Sequence, residues 1–104
     1  MGAGIFKPIT AILISSETKI WVPTIGTKFR LMGGYLTMTV AAGNIVLKDG
    51  VGGSTVFIIP CTAVGVAIAL DLEDGILSAA ADNALTATGP ALCVLNGTIW
   101  GTEE

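Results

Sequence analysis

The stretch Lys28-Phe29-Arg30-Leu31-Met32-Gly33-Gly34-Tyr35-Leu36-Thr37-Met38-Thr39-Val40 is the longest candidate strand in the chain. In its second half apolar and polar residues alternate. Leu36, Met38 and Val40 are expected on one face, and Tyr35, Thr37 and Thr39 on the other, because side chains alternate along a strand. Gly33-Gly34 in its middle predicts a bulge or a bend, as where a strand crosses a sandwich corner. Upstream, Ile9-Thr10-Ala11-Ile12-Leu13-Ile14 and Thr18 to Val22 read as strands separated by Ser15-Ser16-Glu17, and Pro23 ends the second. Downstream, Asn44 to Lys48, Thr55 to Ile59 and Val64 to Leu70 read as strands, with Asp49-Gly50 as a turn. Glu73-Asp74-Gly75 is expected to turn before Ile76 to Ala80. Ala84 to Thr88 follows beyond Asp82-Asn83, and Ala91 to Trp100 closes the series with a turn or bulge at Asn96-Gly97.

Eight or nine short strands at this spacing predict an all-β, antiparallel β-sandwich of jelly-roll-like form. Composition agrees. The 104 residues include 12 Ile, 8 Val and 12 Thr, whose β-branched side chains favour a pleated sheet, and there is no Gln. The Ala-rich run around residues 76–88 is the one place where a short helix competes. The domain reading is an N-terminal arm and first strand over residues 1–12, then a single sandwich domain over 13–104.

Charge and hydropathy exclude several classes. The chain is 52% hydrophobic and 12% charged, and its mean hydropathy of +0.80 rules out disorder. A net charge of −3 from five basic and eight acidic residues gives no basic footprint for nucleic acid. Gly50 to Leu70 is uncharged and nominally long enough to span a bilayer. Pro60 and its glycines make two strands the better parse, so no membrane span is expected. The start Met1-Gly2-Ala3-Gly4 carries no signal-peptide pattern. Cys61 and Cys93 are therefore expected as buried thiols in a reducing compartment, with a disulfide as the alternative.

Candidates for chemistry are few. There is no His, so neither the commonest general base nor the commonest metal ligand is present. No enzyme activity, cofactor or metal site is expected; calcium at Asp71 and Asp74, in the acidic run 71–74, is the exception to watch. Gly50-Val51-Gly52-Gly53-Ser54 lacks the Lys and helix of a phosphate loop and reads as a hairpin tip. Trp21, Trp100, Tyr35, Phe6, Phe29 and Phe57 are expected to pack in the core or at interfaces rather than to form a stacking platform.

A small body with so few charges predicts lasting contact with copies of itself or with a larger assembly. The arm is the expected tool. Gly2, Gly4 and Pro8 make it a poor internal strand, whereas Ile5, Phe6, Ile9 and Ile12 are candidate assembly contacts to a neighbouring subunit.

Three stretches carry a resemblance: Lys28 to Thr39, Asn44 to Gly50, and Ile76 to Leu85; the closing Gly97 to Glu104 is similar too. Together they resemble small β-sandwich virion proteins of tailed bacteriophages, over about residues 28–104. The resemblance implies a virion structural protein assembled in the host cytoplasm. Its leading form is a capsid decoration (cement) protein that forms a homo-oligomer, with a trimer as the candidate state, and bridges a major capsid protein. A tail or fibre component acting as a receptor-binding module is the alternative within the virion, and a carbohydrate-binding β-sandwich is the alternative of another class. The matching positions are turns and core, so no functional residue carries over.

Overall fold

The computed structural model describes residues 4–104. Eight strands follow one another: β1 (Gly4–Leu13), β2 (Thr18–Trp21), β3 (Phe29–Thr39), β4 (Gly43–Asp49), β5 (Ser54–Cys61), β6 (Ile68–Leu77), β7 (Leu85–Thr88) and β8 (Val94–Glu103). They form two four-stranded antiparallel sheets, in the orders β1-β8-β3-β6 and β2-β7-β4-β5. The pairs β1·β8, β2·β7, β3·β6 and β4·β5 are nested like one long hairpin rolled over itself, which is the jelly-roll order. No described residue is helical, so the Ala-rich run resolves into a loop and β7.

The core lies between the sheets. Phe29, Leu31, Leu36 and Met38 from β3 meet Ile45 and Leu47 from β4, Leu85 and Ala87 from β7, and Leu95 and Ile99 from β8. Alternation in β3 thus buries Leu36 and Met38 as expected. It fails at Val40, which leaves the strand with φ 75° and stands exposed. The Gly33-Gly34 bulge is present as a register shift between Leu31 and Gly33. However, β3 stays in one sheet and crosses no corner.

The structure refines three segment readings. Residues 4–12, expected as part of an arm and first strand reaching a neighbouring subunit, form with Leu13 the edge strand β1 of their own domain, paired with β8 from Gly4↔Thr102 to Leu13↔Val94. Pro8 is compatible with this because an edge strand tolerates a missing N–H. Residues 1–3 of the expected arm lie outside the described residues. The expected turn at Glu73-Asp74-Gly75 lies within the span of β6, where Leu72 to Gly75 have no partner on β3 and loop out of register, with Glu73 and Gly75 at φ of 49° and 82°. Asn96-Gly97 lies inside β8, opposite a bulge between Ile9 and Ile12, where the Asn96 Oδ1 accepts the Ala11 N–H at 2.8 Å.

Candidate assembly surface

The four residues expected to reach a neighbour do not share one role. Ile9 is buried in the protein's own core, and Ile5 and Ile12 are half-buried against it. Their strand already has a partner in β8, so their apolar area serves the domain itself. Only Phe6 remains, 70% exposed on the outer face of the first sheet.

Exposed apolar side chains stand at both ends of the sandwich: Val22, Ile25, Val51 and Leu77 at the end where β3 begins, and a set of five at the other, where charge is almost absent. Four connections meet there: residues 14–17, 40–42, 62–67 and 89–93. They are tied by backbone bonds from Ile14 N to Cys93 O, Gly89 N to Ile14 O and Gly65 N to Met38 O. Glu17 is the one charged residue in these connections, and its carboxylate is drawn away. It accepts the Thr86 hydroxyl at 2.6 Å and the Gly52 N–H at 3.0 and 3.1 Å. Those two bonds, Thr86 first, hold its carboxyl below the ordinary range. Leu13, Val40, Val64, Val66 and Leu92 are all exposed around this end. Val40 and Leu92 are, moreover, held in the left-handed region, with φ of 75° and 65°. A left-handed L-residue costs about 1–2 kcal/mol, so two bulky apolar side chains are displayed here against local strain.

The sheet edges differ as sharply. Edge strands commonly carry charge, proline, bulges or short length, which block pairing with another chain. β1 has Lys7, Pro8 and a bulge; β2 is four residues long and carries Lys19; β6 has Asp71, Glu73, Asp74 and a kink. β5 is different. It is eight residues long and has β4 as its one neighbour; no charge occurs between Gly50 and Leu70. The register shift falls on β5 itself, where Val56 is the extra residue opposite Leu47 and Lys48, and Pro60 interrupts donation near the end of the strand, so the edge is set apart by its lack of charge. Alternate N–H and C=O groups along Phe57 to Ile59, where the register is continuous, face outward without a ladder partner among the described residues.

The thiols and acids add no reactive centre. Cys61 and Cys93 are free and buried. Burial, then the proximity of Cys61, pushes the Cys93 thiol up. Asp71 Oδ1 accepts the Glu73 N–H at 3.3 Å, and no group of three or more metal-ligating side chains forms among the described residues. No helix among the described residues is long and apolar enough to cross a membrane. The open edge was legible in the sequence as the uncharged run 50–70, but only strand order tells an edge from a centre. No family model, curated protein or solved structure matches the chain.

Proposed function

We propose that this protein is a structural assembly module, joined to copies of itself or to a larger shell through the open β5 edge and the neighbouring uncharged end. The observation that carries the reading is the contrast among the four edges: β1, β2 and β6 carry charged side chains, whereas β5 carries none and has only a bulge at Val56 and Pro60 to interrupt it. Two β5 strands meeting antiparallel across a two-fold axis would continue the sheet β2-β7-β4-β5 into its copy. Such a contact is isologous and closes on itself. The same edge could instead accept a strand from a shell subunit. In its finer form the proposal is a capsid decoration protein of a tailed bacteriophage. Its support is the motif resemblance over residues 28–104 and the jelly-roll order, an architecture also used by viral capsid domains. That second support is an analogy of fold.

The mechanism needs no chemistry. Backbone pairing and apolar burial across the contact add to the barrier against separation of the joined subunits. The test is light scattering coupled to size exclusion at micromolar concentration, for the native chain and for Ile58→Lys. Ile58 is half exposed, so lysine there places like charges across a β5–β5 contact without opening the core. The native chain should elute as an oligomer and the variant as a folded 10.5 kDa monomer. A native monomer that also fails to bind any virion particle would overturn the proposal.

A further inference from the structure

The outer face of the sheet β1-β8-β3-β6 holds a second surface, of different chemistry. Phe6, Trp100 and Gly33 lie in register across β1, β8 and β3, and Tyr35 follows two residues along β3. The three rings form a row: Phe6 to Trp100 is 6.0 Å between centroids at 51°, and Trp100 to Tyr35 is 5.6 Å at 55°. Phe6 and Tyr35 are mostly exposed, at 70% and 59%. The row is seated by the bulge in β3. A Cβ on Gly33 would come within 3.1 Å of Trp100 Cζ2 and Nε1, so the indole rests directly on backbone that only glycine leaves bare.

One end of this row opens into a cleft of about 540 Å³ lined by Arg30, Met32, Glu73, Asp74, Thr102 and Glu104. The two surfaces are continuous, because Met32 adjoins Gly33 on β3 and Thr102 lies two residues beyond Trp100 on β8. The cleft is preorganised. The Arg30 guanidinium donates to both Glu104 carboxylate oxygens, at 2.6 and 3.2 Å, and to the Asp74 carbonyl at 2.9 Å; Thr102 donates to Glu104 at 2.9 Å.

We propose that this face binds a neutral oligosaccharide. A pyranose ring has one apolar C–H face and a rim of hydroxyls. The aromatic row offers flat apolar surfaces at a step about the size of one sugar ring, and such rigid side chains lose little entropy on binding. The cleft offers carboxylates that accept hydroxyl protons and a fixed guanidinium that donates. Charge selects the class. Asp71, Glu73 and Asp74 border the site on β6, so phosphate- or sulfate-bearing polymers are repelled, and nucleic acid with them. The site is separate from the β5 edge, which lies in the other sheet, so this proposal stands independently of assembly.

The test titrates the full chain with three soluble hexasaccharides, of β-1,4-glucose, α-1,4-glucose and β-1,4-N-acetylglucosamine, with heparin as the anionic control. Tryptophan fluorescence reports the site, because Trp21 is buried and Trp100 is the indole on the surface. At least one neutral hexasaccharide should give a saturable change with calorimetric heat to match. Trp100→Ala and Tyr35→Ala should each weaken it at least ten-fold, and Ile58→Lys should leave it unchanged. Tyr35→Ala keeps the test decisive if Trp100→Ala fails to fold, since Tyr35 is mostly exposed. The proposal is overturned if no hexasaccharide binds at millimolar concentration, if binding survives Tyr35→Ala unchanged, or if heparin binds in preference. Loss of the oligomer in Tyr35→Ala, without sugar binding to the native chain, would also overturn it, making the face a protein interface.

Discussion

The two ends of this sandwich are closed by different physics. At the end where β3 begins and β8 finishes, carboxylates do the closing. Glu103 accepts the Trp21 indole N–H at 2.9 Å and both the hydroxyl and the N–H of Thr24 at 2.7 and 3.2 Å, joining β8 to β2 and its following loop. Asp49 accepts the Ala79 N–H at 2.6 Å and the Asn83 amide at 3.1 Å, and Asp82 accepts the Gly26 N–H at 2.6 Å. Below them Trp21 and Phe29 pack at 5.7 Å between ring centroids. At the opposite end, backbone bonds and the Thr39 hydroxyl, which donates to the Val94 carbonyl, tie the connections, Glu17 is the one carboxylate, and apolar residues point outward, two of them strained. The first end uses carboxylates to hold the fold while also exposing Val22, Ile25 and Val51, whereas the second exposes Leu13, Val40, Val64, Val66 and Leu92 with Glu17 as the one charge in its connections. Both ends belong to one cooperative domain, so stability and association should respond to mutation at different places.

The largest effect should come from the carboxylate-closed end. Phe29→Ala empties a fully buried site beside Trp21 and should cost about 3–5 kcal/mol in urea unfolding. Leu92→Ala at the other end should move stability by no more than about 0.5 kcal/mol. Equal costs would mean that the ends are not distinct.

Next, Glu103→Ala strips the acceptor from the partly buried Trp21 indole and from Thr24. The expected loss is about 1–3 kcal/mol, seen as a lower Tm with assembly unchanged. An unaltered Tm would show that these bonds do not close the end.

A smaller effect of opposite sign is expected at Val40. Glycine relieves about 1–2 kcal/mol of left-handed strain and loses roughly 0.5–1 kcal/mol to unfolded-chain entropy. Val40→Gly should therefore raise stability by up to about 1.5 kcal/mol while weakening oligomerisation. A variant that is more stable and assembles as well as the native chain would show that the strained valine has no part in contact.

The smallest effect is in pH. At Glu103, burial works to raise the carboxyl, but the bonds from Trp21 and Thr24 outweigh it and hold the group below its ordinary value of 4.5. The bonds to Arg30 and Thr102 hold Glu104 down likewise. A depressed folded-state value gives stability that is complete above 4.5 and lost as pH falls through the folded value. From these carboxylates Tm should thus decline in acid, and Glu103→Gln should flatten that decline. An oligomer built on uncharged contacts should persist over the same range until the fold itself is lost.

How far the sequence was readable varies from element to element. Leu36 and Met38 could be placed inward because alternation is a local property of a strand. The identical rule misplaced Val40, since its outward turn depends on where β3 must leave the sheet. Glu73-Asp74-Gly75 read as a turn from composition and does break the pairing with β3, but that β3 pairs on both sides of it, at Asp71 and Ile76, could not be read locally. The edge β5 was written as an uncharged run, but charge alone could not say which strands lack a second neighbour.

The amino-acid sequence by itself determined the class: β-branched residues, alternation and turn dipeptides make sheets, and scarce charge makes exposed apolar surface unavoidable. It also determined the poverty of reactive groups, since a chain without histidine has few bases to offer. Only the tertiary structure decided that residues 4–13 complete their own sheet, because an edge strand accepts Pro8 and β8 had a free side to offer. It alone brought Phe6, Trp100 and Tyr35 into one row, from positions up to 94 residues apart, since 100 − 6 = 94. Proximity across strands is a matter of sheet order and register, and nested pairing of first strand with last cannot be read from spacing along the chain.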